Sequence, residues 1–387
     1  AHFADLTARR GWQDIRLPDD VFARPIDGLS LDDPTDPAPG GHAMLTSGTT
    51  GNNKMVLVGA DAEKQRATNL ILTHDLTKNS VLYLGAIGAW TAGGFNRPIA
   101  AWRVGGQAIF EQRPDARHAF LYGPTTDATL TITTLVDLLQ TLPANIRRRD
   151  DMNFHIVGGA LPWPIARLTI ERITRRLFNN LGSTEAGTIA STLIEKPGDQ
   201  QWYDILPHRH VEIVDAADKP LPRGEMGFVR VQLLGGDVAG YHGDDAASRD
   251  FFRDGFFYPG DLGLFAANGK LTLLGRVTDV LTINGGDKIP AAPLEQRLQD
   301  KLSVTGACLF NAPGPSGGEG IHIAIETDRA LAPEDIRAAL GSVPFSGAII
   351  HLVSALPRND MGKIDRIVLR QSIAAALAQA QSTAKRT

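Results

Sequence analysis

Between Met44 and residue 210 short apolar runs alternate with longer segments of helical periodicity, and this alternation limits the possible folds more than any other feature. MVLVG (55–59) reads as a strand. DAEKQRATNLILTHDL after it reads as a helix, with Ala62, Ala67, Leu70 and Ile71 sharing much of one face. VLYLGAI and GGQAIFE are strands around a further helix, and NFHIVGG is a strand ending in paired glycines. WPIARLTIERITRRLF predicts a helix with an apolar stripe at Ile165, Leu168, Ile173 and Leu177. Such alternation predicts an α/β sheet, whose ligands gather in loops at strand ends. From residue 211 the texture changes. VEIVDA, GFVRVQL and KLTLLGR are short, partly alternating and linked by Gly, Asp and Pro, which suits a β-rich part. Beyond 279, TGACLFNA, IHIAIET and AIIHLV read as strands, and APEDIRAALGS and IDRIVLRQSIAAALAQAQ as helices of a smaller α+β unit. The expected organisation is a large domain over 1–277, made of a Pro/Asp/Gly-rich lead-in (1–43), an α/β part (44–210) and a β-rich part (211–277). A small α+β domain follows over 278–387.

Composition narrows the function. Of 387 residues, 43% are hydrophobic and 21% charged, as in soluble globular proteins. A net charge of -4 gives no global field for nucleic acid or an acidic membrane surface. Neither partner is expected. The single cysteine, Cys308, excludes an intrachain disulfide or thiolate metal cluster, and its apolar neighbours place it in a core. AHFADLTARRGWQDIRL lacks the apolar stretch of a signal peptide, and no run of about 18 apolar residues occurs, so a cytoplasmic location is expected.

LTSGTTGNNK (45–54) joins glycines, hydroxyls and a lysine, a combination that suits an anion cradle and equally a flexible turn. It is not a Walker motif, because Asn53 precedes the lysine and Met55 follows it. Other polar clusters have plain readings of their own. Thr184-Glu185 suits the first turn of a helix, Asp261 a turn aspartate paired with surface Arg276, and Lys363 a solubilising charge. His208 and His210 lack a third metal ligand and read as solvated. Arg147, Arg148 and Arg149 read as a solvated face, and Trp102 and Trp163 as packing residues.

Five segments in order change the balance: LTSGTTGNNK, NNLGSTEAG (179–187), DGFFYPGDLG (254–263), GRVTDVLTINGGDKIP (275–290) and LPRNDMGKIDR (356–366). The series resembles the adenylate-forming superfamily of acyl- and aryl-CoA ligases, luciferases and peptide-synthetase adenylation domains. The resemblance implies that fold: a large α/β plus β-rich domain and a small mobile α+β domain carrying the catalytic lysine. It implies attack of a carboxylate on the α-phosphorus of ATP, with pyrophosphate leaving and charge spreading in the transition state. Thr46, Ser47, Gly48, Thr49, Thr50, Gly51 and Lys54 would embrace the pyrophosphate. Thr184 would bond a phosphate and Glu185 hold Mg²⁺. Gly159, Ala160, Asn180, Leu181, Gly182 and Ser183 would contact the nucleotide, with Asp261 and Arg276 at the ribose. Lys363 would bridge carboxylate and α-phosphate. Thr278 marks the hinge about which the small domain would turn, bringing Ile283–Gly286 forward, with Gly285 and Gly286 leaving a channel for pantetheine. CoA or a carrier protein would accept the acyl group, although transfer to an amine and a catalytically silent scaffold both stay open.

Three residues depart from the family pattern: Asn53 stands for proline, Leu181 for an aromatic residue and Asn359 for threonine. About 45 residues precede the phosphate loop, where relatives carry far more. The expectation is a truncated first subdomain, with an open acyl pocket or with a homodimer or partner chain as its covering wall. In AWTAGGF (89–95), Trp90 takes the place of the aspartate that grips an α-ammonium in amino-acid-activating domains, or is core. The expected substrate is a small aryl or short aliphatic acid without an α-amine, near Trp90, Thr91, Phe95, Val157, Gly158, Gly159 and Ala160.

Overall fold

The computed structural model describes residues 41–46, 54–85, 87–88, 91–111, 116–283, 288–314, 319–341, 347–358 and 364–384. Three sheets carry most of the chain. The largest has seven strands in the order β4-β3-β5-β6-β7-β8-β9: β3 (Val81–Tyr83), β4 (Gln107–Ile109), β5 (Asp127–Thr131), β6 (Asn153–Val157), β7 (Leu177–Ser183), β8 (Gly187–Leu193) and β9 (Asp204–Ile205). The first five in that order run parallel, and the last two join antiparallel. Parallel strands are buried on both faces and so read as continuous apolar runs. Leu82, Ala128, Leu130, Phe154, Ile156 and Leu177 are buried here. The helix α1 (Ala60–His74) leads into β3, and the crossovers are α2 (Ala92–Arg103), α3 (Ile132–Gln140) and α4 (Trp163–Arg172).

A hairpin of β1 (Gly41–Thr46) and β2 (Lys54–Gly59) precedes α1, and Thr46 and Lys54 are register partners at its end. The β-rich part holds β10 (Val211–Val214), β11 (Gly227–Gln232), α5 (Asp245–Phe251), β12 (Phe252–Arg253), β13 (Phe256–Phe257), β14 (Asp261–Phe265) and β15 (Leu271–Arg276). Its core joins Val211, Ile213, Val229, Val231 and Phe257 to Met44 and Val56 of the first hairpin. Then follow β16 (Val280–Thr282), β17 (Lys288–Pro290), α6 (Ala292–Leu302), β18 (Gly306–Pro313), β19 (Glu319–Glu326), α7 (Pro333–Leu340), β20 (Ile349–Val353) and α8 (Arg366–Ala384). Strands β18, β19 and β20 form a three-stranded sheet with its own core of Leu298, Leu309, Ile323, Ile325 and Ile336. Cys308 of β18 is buried in a second cluster with Phe310, Ala324 and Leu369, and burial pushes its thiol up to about 12. No helix among the described residues is long and apolar enough to cross a membrane.

Several local expectations need correction. The helix from Trp163 stops at Arg172 rather than running to Phe178, because Thr174 turns away to donate to the Met152 carbonyl at 2.8 Å; Leu177 is buried from β7 instead. Thr184-Glu185 does not begin a helix but sits at the turn of the β7–β8 hairpin. Arg149 is not simply solvated: it donates to the carbonyls of Leu121, Gly123 and Thr125 and pairs with Asp151. Trp102, at the solvent-facing end of α2, is 55% exposed rather than packed.

Candidate active site

The β7–β8 hairpin is shaped for a tight turn. A Cβ on Gly182 would lie 2.6 Å from the Gly187 carbonyl oxygen, so the strands approach closely only because that side chain is absent. Gly187 adopts a φ of +63°, and the Ser183 hydroxyl accepts from the Ala186 N–H at 3.0 Å, closing the turn. Thr184 and Glu185 stand at the tip.

Two buried arginines fix that tip from behind. Arg66 of α1 donates to the carbonyls of Thr184 (2.9 Å), Glu185 (2.7 Å) and Gly236 (2.6 Å). Arg209 pairs with Asp237 through contacts of 2.5 and 3.0 Å and donates to the carbonyls of Thr188 and Ala186. A planar fork of donors is suited to collecting several carbonyls at once. The tip is therefore rigid before any ligand arrives.

Tyr241 donates its hydroxyl to Glu185 Oε1 at 2.8 Å, and burial beside that carboxylate pushes the phenol's pKa up, keeping it a donor. Lys54 enters from β2. Its ammonium lies 3.5 Å from the Phe251 ring centre and 4.7 Å from that of Tyr241. Burial lowers the Lys54 pKa, while Glu185, Asp244 and Asp250 act in the opposite direction. Across the β-rich sheet, Asp261 and Arg276 are register partners of β14 and β15 and form an ion pair at 3.1 Å. Arg276 also donates to the Pro259 carbonyl.

These groups line one cavity of about 290 Å³. Among the sequence-predicted residues, Thr46, Lys54, Thr91, Val157 and Gly158 face it, together with Asn180, Leu181, Gly182, Ser183, Thr184, Glu185, Asp261 and Arg276. Asn180 gives its carbonyl to the Ser191 hydroxyl at 2.6 Å, and its buried amide nitrogen has no partner among the described residues. Phe95, Gly159, Ala160 and Thr278 are not in the lining: Phe95 stacks on His42, and the Thr278 hydroxyl lies 3.4 Å from Asp279 Oδ1. Ser47, Gly48, Thr49, Thr50, Gly51, Trp90, Gly285, Gly286 and Lys363 lie outside the described residues.

The cavity residues that were not anticipated include Arg66, Arg97, Arg209, Tyr241 and His208. Two carried a signal. Arg66 lies four residues after Ala62 and four before Leu70, on the apolar face of α1, and Arg97 is spaced likewise from Gly93 and Ala101. A charge on a buried stripe is a flag. His208 faces the cavity, its imidazole pushed down by burial and by Arg209, whereas His210 is exposed beside Glu212 at 2.9 Å. Among the described residues no group of three His, Cys, Asp or Glu could hold a metal; the carboxylates that face the cavity are those of Glu185 and Asp261. That arrangement fits Mg²⁺, which commonly takes one or two carboxylates with substrate phosphates completing its shell.

Comparison with known proteins places this geometry. Triostin synthetase I of Streptomyces triostinicus is 27% identical over 355 residues, covering 87% of this chain and 65% of that protein. The salicyl-AMP ligase / salicyl-S-ArCP synthetase of Mycobacterium tuberculosis is 29% identical over 366 residues, covering 87% and 62%. The chain thus spans somewhat less than two thirds of the length of either relative. Among solved structures, the amide bond synthetase McbA from Marinactinospora thermotolerans superposes with a TM-score of 0.79 at 23% identity, covering 96% of this chain and 78% of that one, and so shares the adenylate-forming fold. The model of the AMP-binding enzyme family matches residues 21–233, more than half of the chain, which therefore belongs to that family.

Proposed function

We propose that this chain activates a small carboxylic acid with ATP, forming an acyl-adenylate and pyrophosphate, and then passes the acyl group to the thiol of CoA or of a carrier protein. The observation that carries this reading is the rigid Thr184-Glu185 tip, held by Arg66 and faced by Lys54, with the Asp261–Arg276 pair lining the same cavity. In the first step a carboxylate oxygen attacks the α-phosphorus, and the bond to the bridging oxygen of pyrophosphate breaks. Charge grows on the leaving group, and fixed cations and donors lower the barrier most where they need not reorganise. Lys54 stands at the base of the 47–53 segment and neutralises that charge, and Thr184 donates its hydroxyl to a phosphate oxygen. Mg²⁺, when bound, shields the phosphate charge, and Glu185 is the residue that would hold it.

Asp261 accepts the ribose hydroxyls, with Arg276 fixing its orientation through their ion pair. The unpartnered Asn180 amide supplies a donor toward the base, and Leu181 offers an apolar face where an aromatic would stack. Lys363 bridges the two reacting anions. In the second step the thiol sulfur attacks the acyl carbon and AMP leaves. Thr278 is the proposed pivot between steps, Gly285 and Gly286 the proposed thiol channel, and residues 278–387 the proposed moving domain. A thiol acceptor is supported by the Mycobacterium tuberculosis relative, whose name specifies a salicyl-S-ArCP synthetase. The test is carboxylate-dependent exchange of labelled pyrophosphate into ATP over a panel of acids, beside Lys363→Ala. Exchange with at least one acid that the variant abolishes supports the reading; ATP binding without exchange by any acid contradicts it.

A further inference from the structure

Three arginines line the cavity while nearly buried: Arg66 (3% exposed), Arg209 (8%) and Arg97 (5%). Arg66 has three carbonyls and Arg209 has Asp237 and two carbonyls. Arg97, on α2, makes no hydrogen bond and no ion pair among the described residues. A buried cation without a hydrogen-bond partner is costly, and the usual remedy is a counter-anion with acceptor atoms.

Among the described residues no anion pairs with it at contact distance. Asp127 is the acid whose charge acts on Arg97, but its oxygens are committed: Oδ1 accepts from the Asn153 amide at 2.8 Å and lies 3.4 Å from His155 Nε2, and Oδ2 accepts from the Thr126 hydroxyl at 2.7 Å. His74 and His155 pack edge to face at 4.3 Å, and burial together with the Arg97 charge pushes both imidazoles down into the neutral form. Asn96 of α2, Asn69 and Thr73 of α1 and Thr129 of β5 line the cavity as well, among apolar residues such as Leu70, Ile87 and Val157, so the wall offers polar partners within a largely apolar cavity. Lys54 reaches the cavity from β2, with its ammonium over the Phe251 and Tyr241 rings, whereas Arg97 reaches it from α2. The two cations thus enter one cavity from different elements.

We propose that Arg97 receives a second acidic group of the substrate, so that the acid activated here is a dicarboxylic acid: one carboxylate reacts at the Thr184-Glu185 end, and the other is held by the Arg97 guanidinium. This rests on the adenylation reading above and narrows it from aryl or aliphatic acids in general to those with two carboxylates. Guanidinium and carboxylate match as a bidentate pair, and a site built for such a partner rejects the analogue lacking it by a large factor.

The test is pyrophosphate exchange with matched pairs, aliphatic and aromatic diacids of graded length beside their monomethyl esters, on the wild-type chain, Arg97→Met and Arg97→Lys. For the best diacid the wild type is expected to show kcat/KM at least about tenfold above its half-ester. Arg97→Met is expected to erase that ratio through a raised KM for the diacid while retaining exchange with the half-ester, and Arg97→Lys to restore part of it. Wild-type preference for half-esters, or an equal fall with both members of each pair, overturns the proposal and leaves adenylation standing. If no acid supports exchange, adenylation fails separately. Calorimetric titration of the same pairs then decides Arg97: tighter diacid binding that Arg97→Met abolishes supports it, and equal or absent binding overturns it. Should neither variant fold, the wild-type pairs alone decide.

Discussion

The two ends of the cavity are built on different principles. At the nucleotide end most charged side chains have a hydrogen-bonded partner in the protein: Arg66 and Arg209 hold backbone carbonyls, Tyr241 holds Glu185, and Asp261 holds Arg276, while Lys54 lies over the Phe251 ring. At the other end Arg97 is buried and makes no hydrogen bond or ion pair among the described residues. The first end is complete in itself and suits a ligand common to a whole family. The second is complete only with a ligand that brings its own charge, and it is where one member would differ from another.

The comparison can be broken most forcefully at Glu185. Glu185→Gln is expected to lower pyrophosphate exchange by about 10²–10³-fold with every acid alike, the cost typical of removing one preorganised electrostatic group. A change in acid preference would erase the distinction between the two ends. Arg66→Met acts one step back. With the Thr184 and Glu185 carbonyls released, exchange is expected to fall about 10- to 100-fold, chiefly in kcat, because small displacements of a positioned group are costly. Unchanged kinetics in a folded variant would mean that the tip is held without it.

The histidines beside Arg97 sharpen the contrast through pH. Both have folded pKa values below the ordinary value of 6.5, so the unfolded chain binds protons that the folded chain does not. Stability is then fully present above about pH 6.5 and is lost as the pH falls below it, by up to about 1.4 kcal/mol per pH unit for each histidine. Urea unfolding between pH 7 and pH 5 measures the slope, and His155→Gln should flatten it. The smallest effect is at Thr91, whose hydroxyl accepts from the Gly94 N–H at 3.1 Å at the start of α2. Thr91→Ala should cost about 1 kcal/mol of stability. It should raise KM for the acid more than it changes ATP binding, since α2 also carries Arg97.

What could be read from the sequence follows the same division. The strand–helix alternation and the ordered polar segments were legible because period and spacing are local properties, and Thr46, Lys54, Thr184, Glu185, Asp261 and Arg276 from those segments line one cavity. Arg66 and Arg209 were not legible as supports. Most of their partners are backbone carbonyls, up to 170 positions away, which leave no trace in residue identity. The helix reading of Thr184-Glu185 failed because a hydroxyl followed by a carboxylate suits a helix start and a hairpin tip alike; the close approach of Gly182 to Gly187 decides for the hairpin. Trp163 and Cys308 packed as their surroundings suggested, whereas Trp102 did not, since the C-terminal end of α2 is exposed to solvent.

The central claim, that a carboxylate oxygen attacks the α-phosphorus of ATP in this cavity, is tested most directly by isotope. An acid that supports exchange, labelled with oxygen-18 in its reacting carboxylate, is turned over with ATP and CoA or hydroxylamine, and the nucleotide product is weighed by mass spectrometry. The account predicts AMP carrying one labelled oxygen and unlabelled pyrophosphate. Unlabelled nucleotide with the label in inorganic phosphate, formed alongside ADP, would contradict it.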